Sequence, residues 1–496
     1  MPSAARAAWA LAAWGLALRL LTPVLLLRLL WRARREPMYG DHIAERLGLG
    51  EPVAPGAVWI HAVSLGETRA AEPLIAALRE LRPGLRLLLT HGTATGREAG
   101  LPLLRAGDAQ RWLPFDLPGA TARFLRRHRP AVGVLMETEV WPQLQAAAAR
   151  AAVPMVLANA RLSDKSLRQS LRFDALLRPA AARMTRVLAQ TEADAARLRL
   201  AGAGEGAGLG ASSRAALTSG AEPRASGHIT SVVSVVGNLK FDLIPEPTLL
   251  DLGRRWRTAV APGRPVLLAA SWREGEDEPL LAAWAARLRL HAQAQDASCA
   301  PLLVLVPRHP QRFDQVASLV ESAGLTLSRR SAWSRAGARA AAEPGAGGVE
   351  HGVGASAASA SVVSDVLPPP GAASVDVWLG DSMREMPAWY ALADAALLGG
   401  SFARLGGQNL IEAAACGCPV LMGPHTFNFA AAAELAIDAG AAQRADDLDQ
   451  ALGLAQQLFC HADDLAQRRA AALAFAGAHQ GAARRIAAAV LDCLPA

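Results

Sequence analysis

Short apolar runs alternate along this chain with segments whose apolar residues fall at helical spacing, and that alternation constrains the fold more than any other feature. The runs at 58–63, 85–90, 131–135, 155–158, 187–190 and 232–236 read as strands. A fresh series begins at 266–270 and continues through 302–307, 375–379, 395–399 and 419–422. Helical patterns such as 67–81 lie between them. Strands that alternate with helices specify a parallel sheet covered on both faces, with ligands held at the carboxyl ends of the strands. Two series imply two doubly wound α/β halves joined within 241–265, which a length of 496 residues accommodates. The expected division is an anchor over 1–36, a first half over 37–243, a second half over 244–478, and a closing helix over 479–496 free to cross back to the first half. Stretches rich in Ala, Gly and Ser at 201–227 and 332–373 lack periodicity and read as insertions.

The segment 7–31 is nearly all apolar, interrupted by Arg19, Pro23 and Arg28. Its length suits a membrane span or an interfacial anchor, with an amphipathic helix packed on the body as the alternative. A cleaved signal peptide fits poorly, because no small-residue cleavage site precedes the arginines. Arg32, Arg34 and Arg35 follow it, so the positive-inside rule puts the main body on the cytoplasmic side. The 51 basic and 44 acidic residues leave a net charge of +7, suited to an anionic membrane face, a phosphorylated substrate or nucleic acid. Aromatics at 5%, without basic residues interleaved, make nucleic acid the least suitable of the three. Five cysteines with no CxxC pair fit reduced thiols, and no His, Cys or acidic spacing suggests a metal site.

Composition adds one pointer. Two lysines stand against 49 arginines, with four asparagines, as in a coding sequence depleted in adenine and thymine. A residue with an A/T-rich codon is then present for a chemical reason. Lys165, Lys240, Asn159, Asn238, Asn409 and Asn428 all fall in short loops that carry candidate chemistry.

In the loop HAVSLGETRA, 61–70, a glycine turns the chain from strand to helix and places Glu67 at the mouth of the first half. A carboxylate there acts as general base toward a hydroxyl, or merely partners the helix dipole. METEVWP, 136–142, brings Glu137 and Glu139 to a neighbouring strand end, where clustered acids raise one another's proton affinity; capping of a helix before Pro142 is the plainer account. Arg161 and Lys165 in NARLSDK, with Lys240 in GNLKFD, are expected to face these acids and hold a substrate phosphate or carboxylate, unless they are simply solvated. In the second half, Arg308 and His309 follow a strand where a loop would meet a nucleotide. The stretch 397–428 sets Gly399, Gly400 and Ser401 before a helix opening near Gln408, which reads as a phosphate seat. Asn409 and Glu412 share a face of that helix, Glu412 being placed to accept from ribose hydroxyls. A glycine-rich turn with a capped helix is the alternative. His425 in GPHTFNF donates to substrate or is a satisfied structural histidine.

HAVSLGET, METEVWP, NARLS, LKFD, VPRHP, GGS, QNLIEAAACGCPV and MGPHTFNF, in this order, closely resemble the bacterial Kdo transferase family, which joins 3-deoxy-D-manno-oct-2-ulosonic acid to the lipid A precursor. The resemblance runs from about Met38 to the final helix. It implies a GT-B glycosyltransferase, with two Rossmann-like domains facing a cleft and an amino-terminal membrane-anchor helix at the cytoplasmic face of the inner membrane. It implies CMP-Kdo as donor bound mainly by the second domain, the lipid A precursor as acceptor on the first, an anionic membrane surface as partner, and no cofactor. By motif, Glu67 matches the base, Glu137 and Glu139 its supporting carboxylates, and Arg308 and Glu412 nucleotide-contacting positions, with His309, Gly399, Gly400, Ser401 and Asn409 beside them. Ser64, Gly66, Arg161, Lys165, Lys240 and His425 complete the expected substrate-binding set. Two rivals stay open: a GT-B enzyme using a UDP-sugar, and a membrane-bound nucleotide-binding scaffold without catalysis.

Overall fold

The computed structural model describes residues 4–205, 232–293, 300–333 and 366–494. The chain divides into two compact units, Met1–Leu243 with His479–Ala496, and Ile244–Ala478. Residues 206–227 and 334–365 of the expected insertions lie outside the described residues.

The first unit holds strands β1 (Val58–His61), β2 (Leu87–His91), β3 (Ala109–Trp112), β4 (Val132–Met136), β5 (Met155–Ala160), β6 (Arg186–Ala189) and β7 (Val233–Val235). They form one sheet in the order β3-β2-β1-β4-β5-β6-β7, parallel throughout. Every residue of β1, β2, β4 and β5 is buried, as a sheet covered on both faces requires. The reversal of strand order beside β1 marks the place where such folds hold their ligands.

Helix α1 (Ala4–Ala33) is 30 residues long and apolar enough to cross a membrane, with 6% of its most apolar window buried. One side of it is fastened to the unit. Trp14 Nε1 donates to Asp116 at 3.1 Å, and Gln143 Nε2 to the Leu11 carbonyl at 2.7 Å. Gly15 permits that approach, since a Cβ there would lie 2.8 Å from Gln143 Nε2. Trp9, Leu20, Val24, Leu27 and Trp31 stay exposed, so a helix merely packed on the body does not account for its apolar face.

Helix α2 (Leu65–Leu81) covers β1, and the last helix, Ala482–Leu491, lies against α2 in the first unit. Ile486 and Val490 are wholly buried in a core shared with Leu74 and Leu78. The Asp242 carboxylate accepts from the N–H groups of Gly481 and Ala483, capping that helix from the loop GNLKFD.

The second unit holds β8 (Val266–Trp272), β9 (Leu302–Pro307), β10 (Leu327–Arg329), β11 (Val377–Leu379), β12 (Ala395–Leu398), β13 (Val420–Met422) and β14 (Ala442–Arg444). Its parallel sheet runs β10-β11-β9-β8-β12-β13-β14. The flanks of the second expected insertion are not surface excursions. Trp333 is buried edge-on against Trp256 and Trp378, and Trp256 Nε1 donates to the Val366 carbonyl at 2.9 Å. The expected joint is likewise mostly structure: Pro247–Thr258 is a helix whose Gly253 meets the Ala388 carbonyl so closely that a Cβ would stand 2.1 Å away.

Candidate active site

Glu67 sits in the first turn of α2, immediately beyond the carboxyl end of β1. Ser64 is the N-cap, its Oγ accepting from Glu67 N at 3.5 Å and donating to Oε1 at 3.4 Å. Val63 N donates to Glu67 Oε2 at 2.9 Å. Burial pushes the Glu67 carboxyl up to about 7; the Val63 bond opposes this, and the negative charges of Glu137 and Glu139 add to it. Gly66 beside it is exposed, and a Cβ there would meet Ser64 Oγ at 3.9 Å, an ordinary contact.

The METEVWP loop supplies its two acids differently. Glu137 is buried at φ 56°, a left-handed conformation that costs a non-glycine residue about 1–3 kcal/mol unless its surroundings hold it. They do: its N–H bonds the Ala158 carbonyl at 2.9 Å, Arg161 Nε donates to its Oε2 at 2.9 Å, and Lys240 Nζ stands 3.8 Å from its Oε1. Glu139 is raised by burial first, with Trp141 opposing and Glu137 adding. Of the two, Glu137 bears more strongly on Glu67 and is the one tied to the basic residues. Burial draws Lys240 down, against the pull of Glu137.

Asparagines build these loops. Asn159, at φ 53°, accepts from Leu239 N at 3.0 Å, and Asn238 accepts from Lys240 N at 3.0 Å, which together deliver Lys240 to Glu137. Glu67, Glu137, Glu139, Arg161 and Lys240 are therefore one cluster. Lys165 is not in it: it is exposed on the helix Asp164–Arg172 and makes no ion pair among the described residues. As the second residue of that helix it is turned outward.

In the second unit the glycine-rich turn departs from the sequence reading. The N–H of Gly400 donates to Glu276 Oε2 at 2.7 Å, and those of Phe402 and Ala403 donate to Oε1 at 3.0 and 2.9 Å. Gly399 N donates to the Ala270 carbonyl and Ser401 N to the Leu398 carbonyl. The turn already encloses an anion, the buried side chain of Glu276, so Gly399, Gly400 and Ser401 do not offer their N–H groups to a phosphate. Ser401 is fully buried, its hydroxyl joining Leu398 O to Gly423 N. Sequence reasoning missed Glu276, although its loop SWREGE follows β8 where an informative residue belongs.

Asn409 is the N-cap of the helix Leu410–Ala415 and accepts from Ile411 N at 3.2 Å. Glu412 stands in that helix's first turn, half-buried. Arg308 Nε donates to Gln408 Oε1 at 3.2 Å, linking the end of β9 to the start of the same helix. His309 is drawn down by burial and by the charges of Arg273 and Arg308, so three basic side chains gather at the ends of β8 and β9. His425 N donates to the Ser401 carbonyl, and Asn428 Nδ2 donates to Leu405 O, fixing the loop 399–407 from the far side. Among the described residues no group of three or more His, Cys, Asp or Glu side chains is placed to hold a metal ion.

Residues 41–209 match the family described as 3-deoxy-D-manno-octulosonic-acid transferase (kdotransferase). A 3-deoxy-D-manno-octulosonic acid transferase of Bordetella pertussis is 45% identical over 491 residues, covering 97% of this chain and 99% of its own. One from Haemophilus influenzae is 30% identical over 398 residues, covering 80% and 78%. Among solved structures, a glycosyltransferase from Rickettsia africae aligns over 89% of this chain and 98% of its own, with a TM-score of 0.51 at 10% identity, a likeness of fold that agrees with the two-unit GT-B class. With motifs, fold and a near full-length relative in agreement, the chain belongs to the 3-deoxy-D-manno-octulosonic acid transferases, the Kdo transferase family.

Proposed function

We propose that this Kdo transferase moves Kdo from CMP-Kdo to a sugar hydroxyl of the lipid A precursor lipid IVA, with inversion, without a metal or other cofactor, and with Glu67 as general base. The observation that carries the reading is the carboxyl of Glu67 pushed up to about 7 at a strand's carboxyl end, where it accepts a proton near neutral pH. The acceptor oxygen bonds to the anomeric carbon as the bond from that carbon to the CMP phosphate oxygen breaks. The hydroxyl proton passes to Glu67, and the electron pair leaves with CMP. Glu137 and Glu139 keep the base protonatable. Arg161 and Lys240, with Ser64 and Gly66, bound the place of the acidic sugar and acceptor.

Arg308, with His309 and Arg273 near it, meets the charge of the departing phosphate in place of the glycine-rich turn, so no metal is needed for that purpose. Glu412 accepts from the ribose hydroxyls, and His425 donates to the substrate. Helix α1 holds the protein in the inner membrane, with Arg32, Arg34 and Arg35 and both units at the anionic cytoplasmic face. The test pairs two variants of the full chain in detergent. E67Q is expected to lose transfer of labelled Kdo by about 10²–10⁴-fold with CMP affinity unchanged, and E412A to weaken CMP binding. Near-normal turnover by E67Q removes the base from the reading, and unchanged CMP affinity in E412A removes the ribose contact.

A further inference from the structure

The loop HGTATG, 91–96, has no part in the chemistry just described, yet its first residue is buried directly behind the base. His91 is 1% exposed. Its Nδ1 lies 2.9 Å from the Ala62 carbonyl, and its Nε2 lies 3.0 Å from Gln110 Nε2. The same Gln110 nitrogen donates to the Arg97 carbonyl at 2.7 Å, so the amide's NH₂ end faces the ring and Nε2 is the acceptor. The proton of a neutral ring therefore sits on Nδ1 and is donated to Ala62 O.

Ala62 C=O and Val63 N–H are the two ends of a single peptide unit, and Val63 N–H is the donor that holds Glu67 Oε2 at 2.9 Å. A continuous series of hydrogen bonds thus runs from Gln110 through His91 and one peptide plane to Glu67, each bond polarising the next. The rest of the loop moulds the same backbone. Val63 O accepts from Gly92 N and Thr93 N, both at 3.0 Å, and from Thr93 Oγ1 at 3.1 Å. Thr68 Oγ1 donates to Ser64 O at 2.9 Å. A Cβ on Gly92 would stand 2.7 Å from the Val63 side chain, and one on Gly96 3.0 Å from the Ser64 carbonyl carbon, so both must be glycine for the two loops to lie this close.

We infer that His91 is a positioning residue: by donating to the carbonyl of the Ala62–Val63 peptide it fixes the N–H that orients the Glu67 carboxylate. This rests on the reading of Glu67 as the base. Without that donor the peptide tilts and its N–H weakens as a partner of the charged carboxylate. The base then binds its proton more tightly, and the acid limb of the rate profile moves to higher pH.

The experiment measures kcat/KM against pH, between about pH 5.5 and 9, for the full chain and for H91A, H91N and Q110L, with thermal melting of each. H91A is expected to lose about 10–100-fold in kcat/KM and to shift the limb upward. Asparagine sets its amide nitrogen near the place of Nδ1, so H91N should recover most of the rate and the wild-type limb. Q110L, which lets the ring take its other tautomer, should shift the limb the same way as H91A and reads the series even where H91A does not fold. An unmoved limb in Q110L, or in a folded H91A, overturns the inference, as does an H91N no better than H91A. E67Q run alongside separates the two claims: an inactive E67Q with unmoved limbs defeats His91 alone, while an active E67Q defeats the base.

Discussion

Lys240 and Glu137 form an ion pair at 3.8 Å that ties the loop after β7 to the loop after β4. Its effect reaches Glu67, whose proton affinity Glu137 raises. E137Q removes that negative charge and releases Lys240 and Arg161 toward the base, and both changes favour charged Glu67. The acid limb of kcat/KM, centred near 7 in the unaltered chain, should move to lower pH by roughly one unit or less. A pH series of initial rates shows it, and a shift to higher pH would contradict the arrangement.

Glu67 also leaves a mark on stability. Its carboxyl titrates at about 7 when folded against an ordinary value of 4.5, so the native state binds this proton more tightly than the unfolded chain does. Its contribution therefore favours folding below about pH 4.5, declines as pH rises toward 7, and is constant above. E67Q carries no such dependence. Its melting temperature relative to the unaltered chain should be higher at pH 8 than at pH 4.5, and an equal difference at both would show the carboxyl to be unperturbed.

G399A tests the close passage of strands in the second unit. A Cβ there would lie 2.3 Å from the Ser271 carbonyl oxygen and 2.7 Å from that of Ala270, both backbone atoms at the end of β8. Neither can swing aside, so β8 and β12 must part. The expected loss is about 1–3 kcal/mol or more, read by urea titration, together with weaker CMP binding.

I486A tests the closing helix as part of the first unit. Ile486 is wholly buried in the core that contains Leu74 and Leu78 of α2. Truncation should cost about 2–5 kcal/mol by thermal or urea melting, with transfer falling as Glu67's helix loosens. A neutral change would place the helix's contribution elsewhere.

The buried middle of each sheet was legible because parallel strands covered on both faces must be apolar along their whole length, as in VWIH of β1 and LLVLVP of β9. The strands that escaped notice, AQRW of β3, LSR of β10 and AQR of β14, are all sheet edges, three or four residues long and carrying arginine. The Glu67, Glu137 and Glu139 grouping and the delivery of Lys240 were legible as strand-end loops. The filling of the glycine turn was not. A run of glycines shows that backbone can come close to an anion, but not that the anion is a side chain from 124 residues earlier, as Glu276 is to Gly400. The asparagines, singled out by codon bias, make loop hydrogen bonds: Asn159, Asn238 and Asn409 accept from backbone N–H groups, and Asn428 donates to a carbonyl.

Helix α1 is bolted to the first unit through Trp14 and Gln143 rather than trailing from it on a slack leash. Once such a rod is seated in a bilayer, its tilt dictates the attitude of the whole parallel sheet, much as a keel sets the lie of a hull. On the proposed reading of α1 as an anchor, the strand ends that carry Glu67 would keep one fixed distance from the bilayer.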